Sequence, residues 1–306
     1  MKILVTGATG YIGSNLVKRL IAKGHVVNIL STRQHASMTG TSAFYWKPEY
    51  YEMDEAALDG VEAIIHLAGA TLNKRWSTRY KQEIYDSRTR TAETLFKALA
   101  KRDNHIVKTF IASSAVGYYP SSLEKTYYEN DAPSNDFLGQ VCQHWEAASL
   151  KMEQLGIRVV LMRTGVVLGR GQGILGRLEL PTKLGLAAPL GAGKQWISWI
   201  HIEDLCRLYL FALEHVEVNG ALNAGGPEPV TNLEFTKTYA QVLNRPCFLP
   251  GVPKFALKLA LGEMSVVAFM SQKVSPSKTL DLGFTYSHKT LLEALNDLYE
   301  KPSNKP

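Results

Sequence analysis

The chain has 306 residues, 45% of them hydrophobic, and a formal charge of +6 from 34 Lys and Arg against 28 Asp and Glu. That is enough apolar material for a large core over about two domains or lobes. It excludes a membrane span, because no 18-residue run is apolar, and a disulfide or metal framework, because Cys142, Cys206 and Cys247 are few and far apart.

The cysteine usage fits a reducing cytosol, so a cytoplasmic location is expected. Met1 leads straight into a strand pattern and leaves no room for a signal or transit peptide. The positive excess is mild and contains no lysine block. It fits an ordinary basic enzyme first and phosphate-rich ligands next. Nucleic acid comes last, since no dense Lys/Arg stripe is interleaved with aromatics.

The elements follow from periodicity. Ile3–Thr6 reads as a strand, and Gly7-x-x-Gly10-x-x-Gly13 follows it directly. An amphipathic helix over Tyr11–Lys23 comes next, stopped by Gly24. Strand, glycine turn and helix in that order are what a dinucleotide-binding site needs. Gly7 permits the tight turn, Gly10 lets backbone N–H groups approach a pyrophosphate, and Gly13 lets the helix pack on the strand. The helix N-terminus then offers free N–H groups and a positive dipole end to the anion.

Val26–Leu30 reads as the second strand and leads into Ser31-Thr32-Arg33. A site for NAD(H) normally places Asp or Glu here to bind the ribose 2′-OH. No acidic residue lies between Gly24 and Ala43. Ser31 and Thr32 offer donors to a 2′-phosphate and Arg33 offers a bidentate pair, which predicts NADP(H) over NAD(H).

Ala63–Leu67 is an apolar run of parallel-strand type, ending in Ala68-Gly69. A long helix is expected from about Ser77 to Lys101, a buried strand over Val107–Ala112, a helix over Gly139–Leu155 and a strand over Arg158–Met162. Gly165–Gly173 reads as a glycine-rich turn region. Alternating strands and helices of this kind make a doubly wound parallel sheet. After Gly165 the pattern shortens and Gly and Pro become frequent. A smaller, irregular C-terminal lobe is expected there, with helices at about Asn232–Leu243 and Leu291–Tyr299 and an N-cap at Thr231 or Asn232. The domains are therefore expected at 1–165, with about 196–225 returning to the first, and at 166–300, followed by a frayed tail over 301–306.

With these elements placed, the chain resembles the extended short-chain dehydrogenase/reductase superfamily. Thr6-Gly7-Ala8-Thr9-Gly10-Tyr11-Ile12-Gly13 resembles its cofactor turn. His66-Leu67-Ala68-Gly69 resembles the strand end beside the adenosine, and Ser113-Ser114-Ala115-Val116-Gly117-Tyr118-Tyr119 the strand that carries a catalytic Ser or Thr. Arg163-Thr164-Gly165-Val166-Val167-Leu168-Gly169 resembles the stretch that passes the nicotinamide. Trp199-Ile200-His201-Ile202-Glu203-Asp204-Leu205 resembles the signature between the lobes. The resemblance implies an NAD(P)-binding Rossmann-type α/β fold and cofactor contacts at Thr9, Tyr11, Ile12, Leu67, Ala68, Gly69 and Val167. It also implies contacts at Glu83 and Arg88, whose spacing of five does not place them on one ideal helix face. A pocket is expected beyond the C-terminal strand ends, between the lobes, walled in part by residues 185–199 with Trp76, Trp196 and Trp199 as apolar surfaces and Lys194 and Gln195 as polar positions.

One departure stands out. The superfamily carries Tyr-x-x-x-Lys at the start of the helix placed at Gly139–Leu155, the Tyr as acid/base and the Lys depressing its pKa. Aligning Glu146 with the usual Glu puts Leu138 at the Tyr position and Cys142 at the Lys position. Phe-Leu-x-x-x-Cys-x-x-Trp-Glu is similar instead to the atypical branch labelled "epimerase family protein" or cell-division-inhibitor-like NAD(P)-binding protein, whose members bind NADP(H). Ser114 and Tyr118 then stand as candidate catalytic groups. Cys142 reads as buried filler with a thiol alternative, His201 as a structural hydrogen-bonding residue and His66 as a core one.

Two functions remain open on the sequence. One is an oxidoreductase or nucleotide-sugar-type epimerase acting on a small carbonyl or hydroxyl substrate. The other is an NADP(H)-binding sensor with little turnover. The resemblance also implies a homodimer through two helices; no membrane partner is expected.

Overall fold

The computed structural model describes residues 1–300, so the expectation for 301–306 lies outside the described residues. The chain divides into two compact units. The first comprises Met1–Tyr118, Asn135–Arg163 and Cys206–Leu222, and the second Tyr119–Ser134, Thr164–Leu205 and Asn223–Pro306.

The first unit is built on an eight-stranded sheet. Its elements in chain order are β1 (Lys2–Thr6), α1 (Tyr11–Ala22), β2 (Val26–Ser31), β3 (Thr41–Lys47), β4 (Glu52–Met53), β5 (Ala63–His66), α2 (Thr78–Ala100), β6 (Thr109–Ala115), α3 (Phe137–Leu150), β7 (Arg158–Thr164), α4 (Ile202–Glu214) and β8 (Gly220–Ala224). The strand order is β8-β7-β6-β5-β1-β2-β3-β4. Strands β3, β2, β1, β5 and β6 pair in parallel, and the short β4 closes the edge antiparallel. The order reverses at β1, so the fold is a doubly wound Rossmann-type sheet with its switch point beside the glycine turn.

The helices are set by their caps and apolar stripes. Gly13, Leu16, Val17 and Leu20 give α1 its buried face at helical spacing. Ser77 caps α2 by accepting from the Tyr80 N–H, and Asp136 caps α3 by accepting from the Gly139 N–H. Leu4, Leu30, Ile64, Phe110 and Leu161 from the strands pack with Leu95, Leu99 and Met152 in one core. Each such side chain contributes about 1.5–3 kcal/mol when fully buried.

The second unit has its own core of Leu168, Leu175, Trp199, Phe235, Tyr239 and Leu295. Its helix Asn232–Val242 is capped by Thr231, and its helix Leu291–Tyr299 carries a full capping box from Thr290 and Glu293. No helix among the described residues is long and apolar enough to cross a membrane.

Four expectations need correction. Gly165–Gly173 is not only a turn: Val166–Leu168 is a strand paired in parallel with Trp199–His201, and a helix runs over Gly173–Lys183. The helix expected over Gly139–Leu155 begins at Phe137 behind its Asp136 cap and tightens to 3₁₀ over Lys151–Leu155. The buried strand expected over Val107–Ala112 begins at Thr109 and continues to Ala115. Strand β3 was not expected at all. It is mixed in character, with only Trp46 buried, so no period announces it.

Candidate functional site

The C-terminal ends of β1, β2, β5 and β6 lie side by side. Thr6 pairs with Leu30 on one flank and His66 on the other, and His66 pairs with Ala112. The glycine turn, Ser31–Arg33, Leu67–Gly69 and Ser113–Tyr118 therefore share one edge of the first unit.

Backbone geometry makes the turn. Gly7 has φ +68, and a Cβ there would sit 2.7 Å from the Leu67 carbonyl carbon. A Cβ on Gly13 would meet the Gly7 oxygen at 2.3 Å, so α1 packs as closely on the turn as a helix can. Gly10 occupies the N-cap in extended backbone, and α1 has no acidic residue in its first turn. Its leading N–H groups carry no side-chain cap, which suits an anion. Thr9 is exposed, while Tyr11 and Ile12 are half-buried. Burial pushes the Tyr11 phenol up to about 12.

The β5 end is fixed by one hydroxyl. Thr6 Oγ1 accepts from the Leu67 and Ala68 N–H groups at 3.1 and 3.2 Å and lies 2.8 Å from His66 Nδ1. His66 Nε2 lies 3.2 Å from Thr91 Oγ1. Burial takes His66 down to about 3, so it stays neutral. Ser31 is buried and accepts from the Arg33 N–H at 3.0 Å, while Thr32 and Arg33 are exposed. The edge thus offers hydroxyl and guanidinium donors and no carboxylate over residues 24–43.

Glu83 and Arg88 part company. Arg88 donates to the Ile84 carbonyl, its guanidinium carbon lies 5.0 Å from the Trp145 ring centre, and a Cβ on Gly69 would touch it at 3.4 Å. Arg88 therefore reaches the β5 end, whereas Glu83 is exposed on α2. Val167 is half-buried in the second unit, paired with Ile200.

At the end of β6 the arrangement is made by side chains. Ser114 is 3% exposed and donates its only proton to Glu146 Oε1 at 2.6 Å. Ser114, expected to hold a substrate carbonyl, is here bonded to Glu146. Arg163 donates from Nε to Glu146 Oε1 at 2.9 Å and from Nη2 to Oε2 at 2.8 Å, a buried bidentate pair. The Arg163 guanidinium carbon lies 3.5 Å from the Tyr118 ring centre. Burial raises the Tyr118 phenol above its ordinary value; the Arg163 charge opposes that rise and the Glu146 charge adds to it. Cys142 is buried with its thiol pushed up to about 12, so it is inert filler.

Glu146 and Arg163 are the functional candidates that the sequence reading missed. A charged residue closing an otherwise apolar strand, Val159 to Met162, is the signal that a buried partner must exist.

In the second unit, Gln195 donates to the Leu190 and Ala268 carbonyls, Trp196 to Leu123 and Trp199 to Glu228. Their polar atoms serve that unit's own framework; Lys194 is exposed. His201 Nδ1 accepts from the Glu203 N–H at 3.2 Å, and His288 Nδ1 lies 3.0 Å from Asp204. Asp204 also accepts from the Ser287 and His288 N–H groups. His201, Glu203 and His288 bring potential ligand atoms within 4.8 Å. Burial lowers His201 to about 4, and its Nε2 is buried 3.5 Å from Asp297 Oδ2.

Comparison with known proteins adds to this geometry. The profile of the NAD dependent epimerase/dehydratase family matches residues 3–225, and that of a domain of unknown function, DUF1731, matches residues 252–298. The Epimerase family protein ML0860 of Mycobacterium leprae is 39% identical over 98% of this chain and 96% of its own. The Epimerase family protein YfhF of Bacillus subtilis is 37% identical over 97% of this chain and 98% of its own. The crystal structure of human epimerase family protein SDR39U1 (isoform 2) with NADPH superposes with a TM-score of 0.87 at 35% identity, covering 98% of this chain and 99% of that one.

Proposed function

The chain belongs to the NAD dependent epimerase/dehydratase family, as an atypical extended short-chain dehydrogenase/reductase, and on that footing we propose that it binds NADP(H) and reduces a small carbonyl substrate. The fit to the cofactor is supported by the turn itself: two glycines that exclude a Cβ, a helix N-terminus free of side-chain caps and acids, and an acid-free Ser31-Thr32-Arg33 edge. Gly7–Gly13 would hold the pyrophosphate, Arg33 with Ser31 and Thr32 the 2′-phosphate, and Leu67 to Gly69 with Arg88 the adenosine side. When bound, the cofactor supplies a hydride to the carbonyl carbon.

The observation that carries the direction of the reaction is Tyr118. Its phenol is raised by burial and so stays protonated at neutral pH. A group in that state gives a proton to a developing alkoxide and is a poor base for taking one from an alcohol. That favours reduction over an epimerase cycle, which begins by removing a hydroxyl proton. The commitment of the Ser114 proton to Glu146 favours a second reading, an NADP(H)-binding sensor with little turnover.

A panel of aldehydes and ketones screened for NADPH oxidation separates the two. The account expects turnover that falls about 100-fold in Tyr118→Phe, in the range of a lost general acid, and that stays flat across neutral pH. Tight NADPH binding without oxidation over the whole panel would replace the reductase with the sensor.

A further inference from the structure

We infer that Arg163, clamped by Glu146, is the cationic partner of Tyr118 and does for it what the superfamily's lysine does for the tyrosine of Tyr-x-x-x-Lys. The inference rests on the reading of Tyr118 as proton donor.

One stripe of α3 carries three of the residues concerned. Leu138, Cys142 and Glu146 are spaced i, i+4 and i+8, so they lie along one face of the helix. That face runs along the end of β6. A Cβ on Gly117 would touch Leu138 at 3.7 Å, Cys142 is buried, and Glu146 accepts from Ser114. The two positions that carry Tyr and Lys in the superfamily are apolar or inert here. The first charged group on the stripe is one turn further on, and it is an acid. A buried carboxylate cannot stand alone. It is answered by Arg163 from the neighbouring strand, with side-chain exposures of 5% for the arginine and 6% for the glutamate.

The pair does more than neutralise itself. Two of the guanidinium's donor positions go to the carboxylate in a fixed fork, which locks the plane of the group. The guanidinium carbon lies 3.5 Å from the centre of the Tyr118 ring, so the charge sits over the face of the phenol. Tyr118 comes from the single 3₁₀ turn after β6, so cation and phenol are held by two neighbouring strands and a helix. In a reduction, Tyr118 Oη would give its proton to the carbonyl oxygen as the bound cofactor supplies the hydride. The phenolate left behind faces the Arg163 charge until water returns the proton. Arg163 is thus a positioning and charge-balancing residue, with Glu146 holding it.

The test needs no substrate. Replacing the phenol in Tyr118→3,5-difluorotyrosine brings its ionisation into the neutral range and gives one site-specific fluorine signal to titrate by NMR. The double change Glu146→Gln with Arg163→Gln removes both charges but keeps hydrogen-bonding side chains, so no buried charge is left uncompensated. Arg163 lowers the phenol and Glu146 raises it, with Arg163 the larger of the two, so the expected result is an upward shift of the phenol pKa in the double variant. Arg163→Lys, with Glu146 in place, should recover at least part of that shift. A titration that is the same in all three proteins would overturn the inference, as would Arg163→Lys matching the uncharged pair. NADPH titration of the same proteins keeps the two ideas apart. Failure of the parent protein to bind NADPH would remove the catalytic use of the pair, while the fluorine titration alone decides whether the pair tunes Tyr118.

Discussion

Two stretches of one sheet edge are held in place by different means. At the Gly7–Gly13 turn the backbone makes the site: a positive φ at Gly7, a helix start without a side-chain cap, and approaches so close that a Cβ at Gly7 or Gly13 would sit 2.7 or 2.3 Å from backbone atoms. At the end of β6 and the start of α3 side chains make it: a serine, a glutamate, an arginine and a tyrosine gathered from three elements. The first construction keeps a fixed spacing in the sequence, because one turn of chain supplies all its parts. The second can be rebuilt with different residues, because what must be conserved is a charge balance around a phenol and not a spacing.

The comparison can be broken at its side-chain half first. Glu146→Ala leaves Arg163 as an uncompensated buried charge and Ser114 without its acceptor. Removing one partner of such a pair costs roughly 3–5 kcal/mol. Urea unfolding should read a loss of that size, and the double change Glu146→Gln with Arg163→Gln, which leaves no lone buried charge, should lose less. A loss below about 1 kcal/mol, the value of an exposed pair, would mean that the pair is not a buried clamp.

The backbone half breaks differently. Gly13→Val pushes a branched Cβ into the Gly7 carbonyl. Overpacking of this kind costs about 1–3 kcal/mol, and the turn should open enough to weaken NADPH binding beyond detection in a calorimetric titration. Retained affinity would show that the turn does not hold the pyrophosphate.

These differences explain what was legible in advance. The glycine turn, the amphipathic face of α1, the Ser77 start of α2 and the Thr231 cap follow from local rules, and each lies where the periodicity places it. Strand β3 escaped because Trp46 is its one fully buried residue and the others are half-buried or exposed without alternation. The helix over Gly173–Lys183 was hidden by the glycines before it and by Pro181 within it. The Glu146–Arg163 pair was hidden for a deeper reason. Its members stand 17 residues apart on a helix and a strand, and only the packing of α3 on β6 and β7 brings them together. The contrast between Arg88, which reaches Gly69, and Glu83, which stays exposed, was out of reach for the same reason.

The smallest expected effect is also the most direct test of the cofactor reading. NADPH and NADH are titrated into the wild-type protein and into Arg33→Ala by calorimetry at one fixed salt concentration. Charge-assisted bonds to a 2′-phosphate are worth about 1.5–3 kcal/mol, so NADPH should bind roughly 10- to 100-fold more tightly than NADH. Arg33→Ala should lose most of that preference and leave NADH binding unchanged. Equal binding of the two nucleotides by the wild-type protein, or no binding of either, would contradict the account.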